Sequence, residues 1–289
     1  MPTVNDQYPT KPQHLMSDEE LKMAAIAQYT NSAPEAKSSS TSFPTEIVEL
    51  PSRGLVYPEG HILRSGTIEM KYMTAKEEDI LTNQSYIKQG VVLDKLFQSL
   101  IVTPIEYDDL IIGDKNAIMV AARILGYGKD YETEVTSPMG NIQKVTVDLT
   151  KLKDKEIDES IYTPGKTEFD FQLPASKKTV TLQLVTNRIQ KKIDAELKGL
   201  AKLKQTDATL TTTLKHIIIA VDGDREQLKI RKFVDYELLA IDSRAIRTYL
   251  KSITPDIDLS YEFIDEEDGE PFRRTFTIGL DFFWPDSGL

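Results

Sequence analysis

The spacing of apolar residues changes along this chain, and this change limits the possible folds more than any other feature of the sequence. Between residues 74 and 126 apolar side chains recur every three to four positions, which is the spacing of one helix face. Between residues 130 and 185 they alternate with polar ones in short runs separated by Pro and Gly, which indicates β-hairpins. Helical spacing returns at residue 187, and alternation returns after residue 257. Helical blocks flanking a β-hairpin insertion, with a β-rich C-terminal end, predict an α+β fold.

The same changes divide the 289 residues into four predicted segments. They are a flexible N-terminal arm (1–44), a strand-helix part of the core (45–128), the β-hairpin insertion (129–186), and a helical part with a C-terminal β segment (187–289). The end of the arm is rich in Ser and Pro and poor in large apolar residues, so it buries too little surface to offset its chain entropy. Residues 17–28 have the spacing of one short helix. We expect either a disordered tether with a transient helix or an arm that folds on a partner.

Local signals predict where individual elements begin and end. The predicted helices are 74–82 with a Thr74 capping box, 86–101 through a tolerated Gly90, a helix capped by Asp114 and stopped at Gly126, a helical stretch 187–221, and a helix from an Asp242 cap to Ile253. The predicted strands are 46–50, 67–72, 131–136, 142–149, 167–173, 179–185, 258–264 and 272–280.

Charge and cysteine content exclude several classes of function. Lys and Arg total 35 and Asp and Glu total 46, for a net charge of −11, which opposes generic binding to nucleic acids or anionic membranes. Cysteine is absent, which excludes disulfides, thiolate metal sites and cysteine nucleophiles. The three histidines, His14, His61 and His216, are scattered. No apolar run approaches the roughly 18 residues of a membrane helix, and residues 1–30 do not resemble a secretory signal.

The sequence also lacks the motifs that carry common chemistry. Neither a phosphate-binding glycine loop nor a nucleophile elbow occurs. Asp222 and Asp224 resemble the start of a calcium loop, but Gln227 and Phe233 stand where Gly and Glu are required, so a turn is the better interpretation. Residues 265–270 are acidic and contain Asp-Gly, which predicts a solvated hairpin turn. We therefore predict no catalytic, cofactor-binding or metal-ligating residue, and no cofactor.

Two features point towards contacts with other proteins. Phe282, Phe283 and Trp284 are consecutive, and on a strand their side chains alternate faces, so at least one ring leaves its own core. Two compatible interpretations stay open: the end of the chain packs back as a last core strand, and a partner covers the rings. Residues 188–232 carry a net charge of +5 and residues 254–289 a net charge of −8. These segments are solvated faces, or they pair within one molecule or between neighbours.

Three stretches taken together carry a resemblance to a known family. They are residues 50–58 (LPSRGLVYP), residues 73–83 (MTAKEEDILTN) continuing through 90–96 (GVVLDKL), and residues 278–285 (IGLDFFWP). In this order and spacing they resemble the baseplate hub proteins of T-even-like contractile-tailed bacteriophages. The resemblance spans most of residues 46–289.

This resemblance implies a late phage protein that helps to build the central hub of the tail baseplate and has no catalytic residues. Its expected partners are other tail and baseplate hub proteins, rather than nucleic acid or membrane. Its expected location is the virion, after assembly in the host cytoplasm. The residues predicted to bind partners are Phe282, Phe283, Trp284, Arg53 and Tyr57.

One property of similar phage sequences does not carry over. Some have a Cys-Pro-x-Cys zinc knuckle in a comparable hairpin, whereas Ser137 and Met139 stand in this loop, and neither is a zinc ligand. Two other functions stay open. One is a transient tail or hub assembly chaperone that is absent from the mature virion. The other belongs to another class, a wall-degrading hydrolase with an unrecognised carboxylate pair.

Overall fold

Helices and small antiparallel sheets alternate along the chain in a computed structural model that describes residues 44–163, 166–203, 208–276 and 280–283. The fold class is α+β, as predicted. Residues Pro44–Leu289 form one unit, and the description below concerns this unit. The predicted flexible arm, except Pro44, and Trp284 lie outside the described residues.

The elements have the following bounds. The helices are α1 (Ala75–Leu81), α2 (Gln84–Gln89), α3 (Val92–Leu100), α4 (Ile112–Tyr127), α5 (Asn187–Lys202), α6 (Thr209–Ile217), α7 (Gln227–Lys232) and α8 (Ala240–Ile253). The strands are β1 (Thr45–Glu49), β2 (Thr67–Lys71), β3 (Asp130–Thr136), β4 (Ile142–Asp148), β5 (Lys153–Asp154), β6 (Glu168–Gln172), β7 (Thr179–Gln183), β8 (Ile218–Val221), β9 (Ile257–Asp258), β10 (Ser260–Ile264) and β11 (Pro271–Thr275).

The predicted β-hairpins are confirmed. β3 pairs with β4, β6 with β7, and β10 with β11, all antiparallel. The predicted helical stretch 187–221 is wrong at its end, because residues 218–221 form β8, which pairs with β7 and completes a three-stranded sheet in the order β6-β7-β8. The run Ile217–Ile219 is β-branched, and β-branched side chains pack well on a pleated surface next to another strand.

The predicted helix over residues 86–101 is two helices. Gly90 has φ +71° and ends α2, and α3 begins two residues later at Val92. A residue in this left-handed region stops the α-helical ladder, and glycine adopts it without strain. The prediction failed because the apolar spacing continues across the break even though the backbone does not.

The predicted helix caps Asp114 and Asp242 are both wrong, because neither residue occupies the N-cap position of its helix. Ile111 and Leu239 hold the N-cap positions of α4 and α8, so Asp114 and Asp242 lie inside the first turns. Asp242 is buried and accepts hydrogen bonds from the backbone N–H groups of Ala175 (2.8 Å) and Ser176 (3.0 Å). Asp242 therefore binds a loop that is distant in sequence rather than its own helix. Asp114 does the same, because it accepts hydrogen bonds from Ser52 and Tyr57.

A first hydrophobic core forms around α3 and α4 and includes the end of the described chain. Residues Leu280–Phe283 form a 3-10 helix, not the predicted strand. Both phenylalanine rings are buried at 0% exposure, because successive residues of a 3-10 helix are about 120° apart and can both reach a surrounding core. Phe283 lies 6.0 Å from Phe97 between ring centroids, and the Nε of Arg123 donates to the Phe282 carbonyl at 2.9 Å. Phe282 and Phe283 thus pack into the core of the chain itself, as one of the two interpretations expected, but on a 3-10 turn and not on a strand.

A second core lies between the three-stranded sheet and helices α6, α7 and α8. Its buried members include Val180, Leu182, Ile218, Phe233 and Ile246. Tyr249 and Leu250 of α8 pack against both cores and join them.

Where the structure describes them, the oppositely charged segments do not pair with each other. Basic residues of segment 188–232 pair with acids elsewhere, for example Arg225 with Glu168 and Arg231 with Glu196. Within the described ranges, no ion pair joins this segment to residues 254–289. Pairing of the two segments inside one molecule is therefore excluded for these residues.

Burial of the chain end predicts a large effect of one substitution. Phe283→Ala is expected to lower the free energy of unfolding by about 3–5 kcal/mol, because it removes a buried ring and leaves a cavity. Urea unfolding followed by circular dichroism measures this change. Tyr236→Ala, at a side chain that is 83% exposed, is the control and should stay within about 0.5 kcal/mol of the wild type. Equal stability of the two variants would contradict the described position of Phe283.

Candidate functional site

The loop of residues 51–58 is held from inside by one carboxylate. Asp114, in the first turn of α4, accepts hydrogen bonds from the Ser52 N–H (3.0 Å), the Ser52 Oγ (2.7 Å) and the Tyr57 hydroxyl (2.6 Å). The Tyr57 hydroxyl in turn accepts from the Ile111 N–H at 3.2 Å. Three donors on one buried acceptor group fix the loop to the start of the helix.

Burial sets the protonation of this cluster. It raises the pKa of Asp114 to about 6, although the hydrogen bonds from Tyr57 and Ser52 act in the opposite direction. Burial, together with the neighbouring Asp114 carboxylate, also raises the pKa of Tyr57 far above its ordinary value. The Tyr57 hydroxyl therefore remains a donor at neutral pH.

Arg53 is the charged residue that the loop presents to solvent. Its side chain is 62% exposed and forms an ion pair with Glu159. Gly54, with φ +75°, packs so tightly that a Cβ atom would lie 2.3 Å from the Arg64 carbonyl oxygen. The Arg64 guanidinium donates to the carbonyls of Gly54 and Leu55, at 3.0 Å each. The backbone is thus held on its inner side while Arg53 projects outward.

A pocket of about 290 Å³ adjoins this loop. One wall is the stacked pair Tyr57 and His61, with ring centroids 5.3 Å apart. Asp109, whose Oδ2 lies 3.8 Å from His61 Nε2, and Ile189 of α5 also line it. The mixture of aromatic, aliphatic and polar groups suits contact with a protein side chain or a small ligand.

The structure separates the predicted partner-binding residues. Arg53 is accessible, whereas Tyr57 is 3% exposed, so it mainly positions the loop and contributes to one wall of the pocket. Phe282 and Phe283 have no exposed area, so their predicted role as partner anchors is corrected to packing in the first core. Their side chains were predicted to alternate on a strand, but the 3-10 turn brings both inward. Trp284 lies outside the described residues.

Sequence reasoning missed the other residues of the pocket. In the sequence His61 is one of three widely separated histidines, and no motif includes Asp109 or Ile189. They come from three separated parts of the chain, and only the fold brings them together. The apolar spacing places Ile189 on one face of a predicted helix, but no local signal indicates which part of the chain that face contacts.

Other candidate sites were predicted as turns, and the structure agrees. Residues 222–226 connect β8 to α7, and Asp222 accepts from the Thr179 N–H at 2.8 Å. Residues 265–270 form the turn between β10 and β11. Among the residues that the structure describes, there is no group of three or more side chains suited to a metal ion. In the same residues, no helix is long and apolar enough to cross a membrane.

Comparisons with known proteins give no match. No protein-family model, no curated protein and no solved structure corresponds to this chain. Any function assigned to the loop and its pocket must therefore be argued from the geometry above and from the resemblance carried by the sequence.

The raised pKa of Asp114 predicts a pH effect with a definite sign. Because its pKa is about 6 in the folded chain and about 3.9 in an unfolded one, the folded chain binds this proton more tightly. The resulting stabilisation is present below pH 4 and is lost as the pH rises through 6. Relative to Asp114→Asn, the free energy of unfolding of the wild type should fall by roughly 2 kcal/mol between pH 4 and pH 6.5.

Chemical denaturation at several pH values measures this difference. Asp242→Asn is the matched control. Burial opposes ionisation of Asp242, but the N–H donors of Ala175 and Ser176 outweigh it and hold the pKa of this carboxyl below its ordinary value. The folded chain therefore favours the ionised form of Asp242, so the difference between Asp242→Asn and the wild type should stay nearly constant across the window. A constant difference for Asp114→Asn as well would contradict the described burial of this carboxyl.

Proposed function

We propose that this protein is a structural or assembly component of the central baseplate hub in a contractile-tailed bacteriophage. It acts through contacts with other tail and hub proteins, is assembled in the host cytoplasm and is located in the virion. The proposal rests on the resemblance of three sequence stretches to that family, together with the way in which the fold arranges them.

The observation that carries the proposal is that all three stretches meet around α4. Ser52 and Tyr57 of the first stretch bind Asp114 of this helix. Leu96 of the second stretch is buried in the first core, as are the phenylalanines of the third. Arg123 of α4 binds the Phe282 carbonyl. Residues separated by more than 200 positions thus form one scaffold, which is what a shared family fold would require.

This scaffold supports a binding role for the 51–58 loop. The loop is fixed before any partner arrives, so little conformational entropy is lost when it binds. It presents an exposed cationic side chain, Arg53, and its other end, at Tyr57 and Pro58, lines a pocket with an aromatic wall. Arg and aromatic groups are frequent among the residues that contribute most to protein–protein affinity.

Complementation of a phage that lacks this protein tests the proposal. Arg53→Glu is expected to reduce the yield of complete baseplates, counted by electron microscopy, by about tenfold, because it reverses the charge that the loop presents to a partner. Lys198→Glu makes the same charge change at an exposed position on α5 and should leave the yield within about twofold. Thermal unfolding of both variants establishes that they fold.

Mass spectrometry of purified virions supplies the second measurement. We expect this chain in the particles at a fixed ratio to other hub proteins. A chain that is required for assembly but missing from virions would favour the chaperone function instead. Unchanged baseplate yield with Arg53→Glu, or normal baseplates without the protein, would overturn the proposal.

A further inference from the structure

The pocket beside the 51–58 loop contains a hydrogen-bond donor and an acceptor that lie close together without bonding. His61 Nδ1 accepts from the Leu63 N–H at 3.2 Å, so the proton of the neutral imidazole is on Nε2. This nitrogen lies 3.8 Å from Oδ2 of Asp109, which is longer than a hydrogen bond. The other oxygen of Asp109 binds Arg188, and among the described residues no hydrogen bond reaches Oδ2.

Other polar side chains that line the pocket are engaged or hydrated. The Tyr57 hydroxyl belongs to the Asp114 cluster, Gln183 donates to a backbone carbonyl at 2.8 Å, and Thr186 caps α5. Thr167 is exposed to solvent. The remaining walls are aliphatic, and they come from Val56, Pro58, Ile111, Leu184 and Ile189.

The pair formed by His61 and Asp109 selects a ligand group that both accepts and donates a hydrogen bond. A carboxylate only accepts and is repelled by Asp109, whereas Lys, Arg and Trp side chains only donate and leave the His61 N–H without an acceptor. An aliphatic or phenylalanine side chain would bury both groups unpaired, which is costly. Hydroxyl and carboxamide groups supply both functions. Of the side chains that carry them, tyrosine alone also has a large apolar surface for the aliphatic walls.

The pocket is preformed and small. Asp114 holds the loop on one side, and on the other the Asn187 N–H donates to the Leu110 carbonyl at 2.8 Å, which fixes the start of α5. The volume of about 290 Å³ is close to the lower limit of roughly 300 Å³ for small-molecule pockets. A fixed cavity of this size suits one side chain, and little conformational entropy is lost when it is filled.

We propose that this pocket receives the side chain of a tyrosine from a partner protein. The ring lies against the aliphatic walls, and the hydroxyl accepts from Nε2 of His61 and donates to Oδ2 of Asp109. This inference rests on the proposed function, because it names the chemistry that a partner presents to the same site.

An NMR titration of the full chain with para-cresol and with toluene tests the proposal. Para-cresol is the side chain of tyrosine, and toluene lacks only the hydroxyl. Because a hydroxyl is costly to remove from water, a merely apolar pocket would bind toluene more tightly. We expect para-cresol to bind at least about tenfold more tightly than toluene. Equal or tighter binding of toluene, or no binding of either, would overturn the proposal.

N-acetyl-tyrosinamide distinguishes a residue of a partner from a free phenol, because it carries backbone on both sides of the Cα atom. We expect it to bind at least as tightly as para-cresol, and about tenfold more tightly than N-acetyl-phenylalaninamide. A pocket that binds para-cresol but rejects N-acetyl-tyrosinamide would be a site for small molecules, which would overturn the proposed partner.

Two variants locate the binding. His61→Phe keeps a ring beside Tyr57 but removes the Nε2 donor, so the affinity for para-cresol should fall by about tenfold while that for toluene does not fall. His216→Phe makes the same change outside the pocket and should leave both affinities unchanged. Ile189→Trp fills the pocket from α5 and should abolish binding of both probes, which keeps the test decisive if His61→Phe lowers the melting temperature. Binding that survives Ile189→Trp would place the probes elsewhere and overturn the proposal.

These measurements can fail independently of the phage experiments. Loss of the preference for a hydroxyl, with the chain present in virions and fewer baseplates for Arg53→Glu, would refute the tyrosine contact alone. Normal baseplates without the protein would refute the proposed function even if the phenol binds.

Discussion

The buried carboxylate of Asp114 is the contact on which the described architecture depends most. It lies in the first turn of α4, where it receives three hydrogen bonds from a loop more than fifty residues earlier in the chain. A carboxylate in such a position is costly unless donors surround it, and it cannot move without leaving those donors unpaired. The loop, the helix and the pocket beside Tyr57 consequently form one rigid assembly.

A second buried aspartate connects the first turn of a helix to a distant loop in the same way. Asp242, in the first turn of α8, binds the backbone of residues 175–176 between β6 and β7. Each core of the molecule thus has a long helix whose first turn holds a distant loop. The two sites differ in electrostatics, because burial raises the pKa of Asp114 whereas backbone donors keep that of Asp242 below its ordinary value. Only the first is expected to respond to pH in the mildly acidic range.

Rigid anchoring inside and accessible groups outside are the features that favour an interaction protein. Phe282 and Phe283 complete the first core, so they contribute to the stability of the scaffold. Accessible chemistry lies elsewhere, on the exposed Arg53 of the 51–58 loop and in the pocket that Tyr57 and His61 line.

Local patterns determined much of this protein: the α+β class, the hairpins of the insertion, and the capping box at Thr74, whose side chain donates to Glu77. These features depend on interactions between residues a few positions apart, so they can be predicted from the local sequence. The break at Gly90, the strand at Ile218 and the 3-10 turn at Phe282 depend on packing partners far along the chain. The sequence pattern around an aspartate at the start of a helix is the same whether its hydrogen-bond donors belong to that helix or to a distant loop. Only the tertiary structure decided that Asp114 holds the 51–58 loop, because the groups that meet there are separated by more than fifty residues.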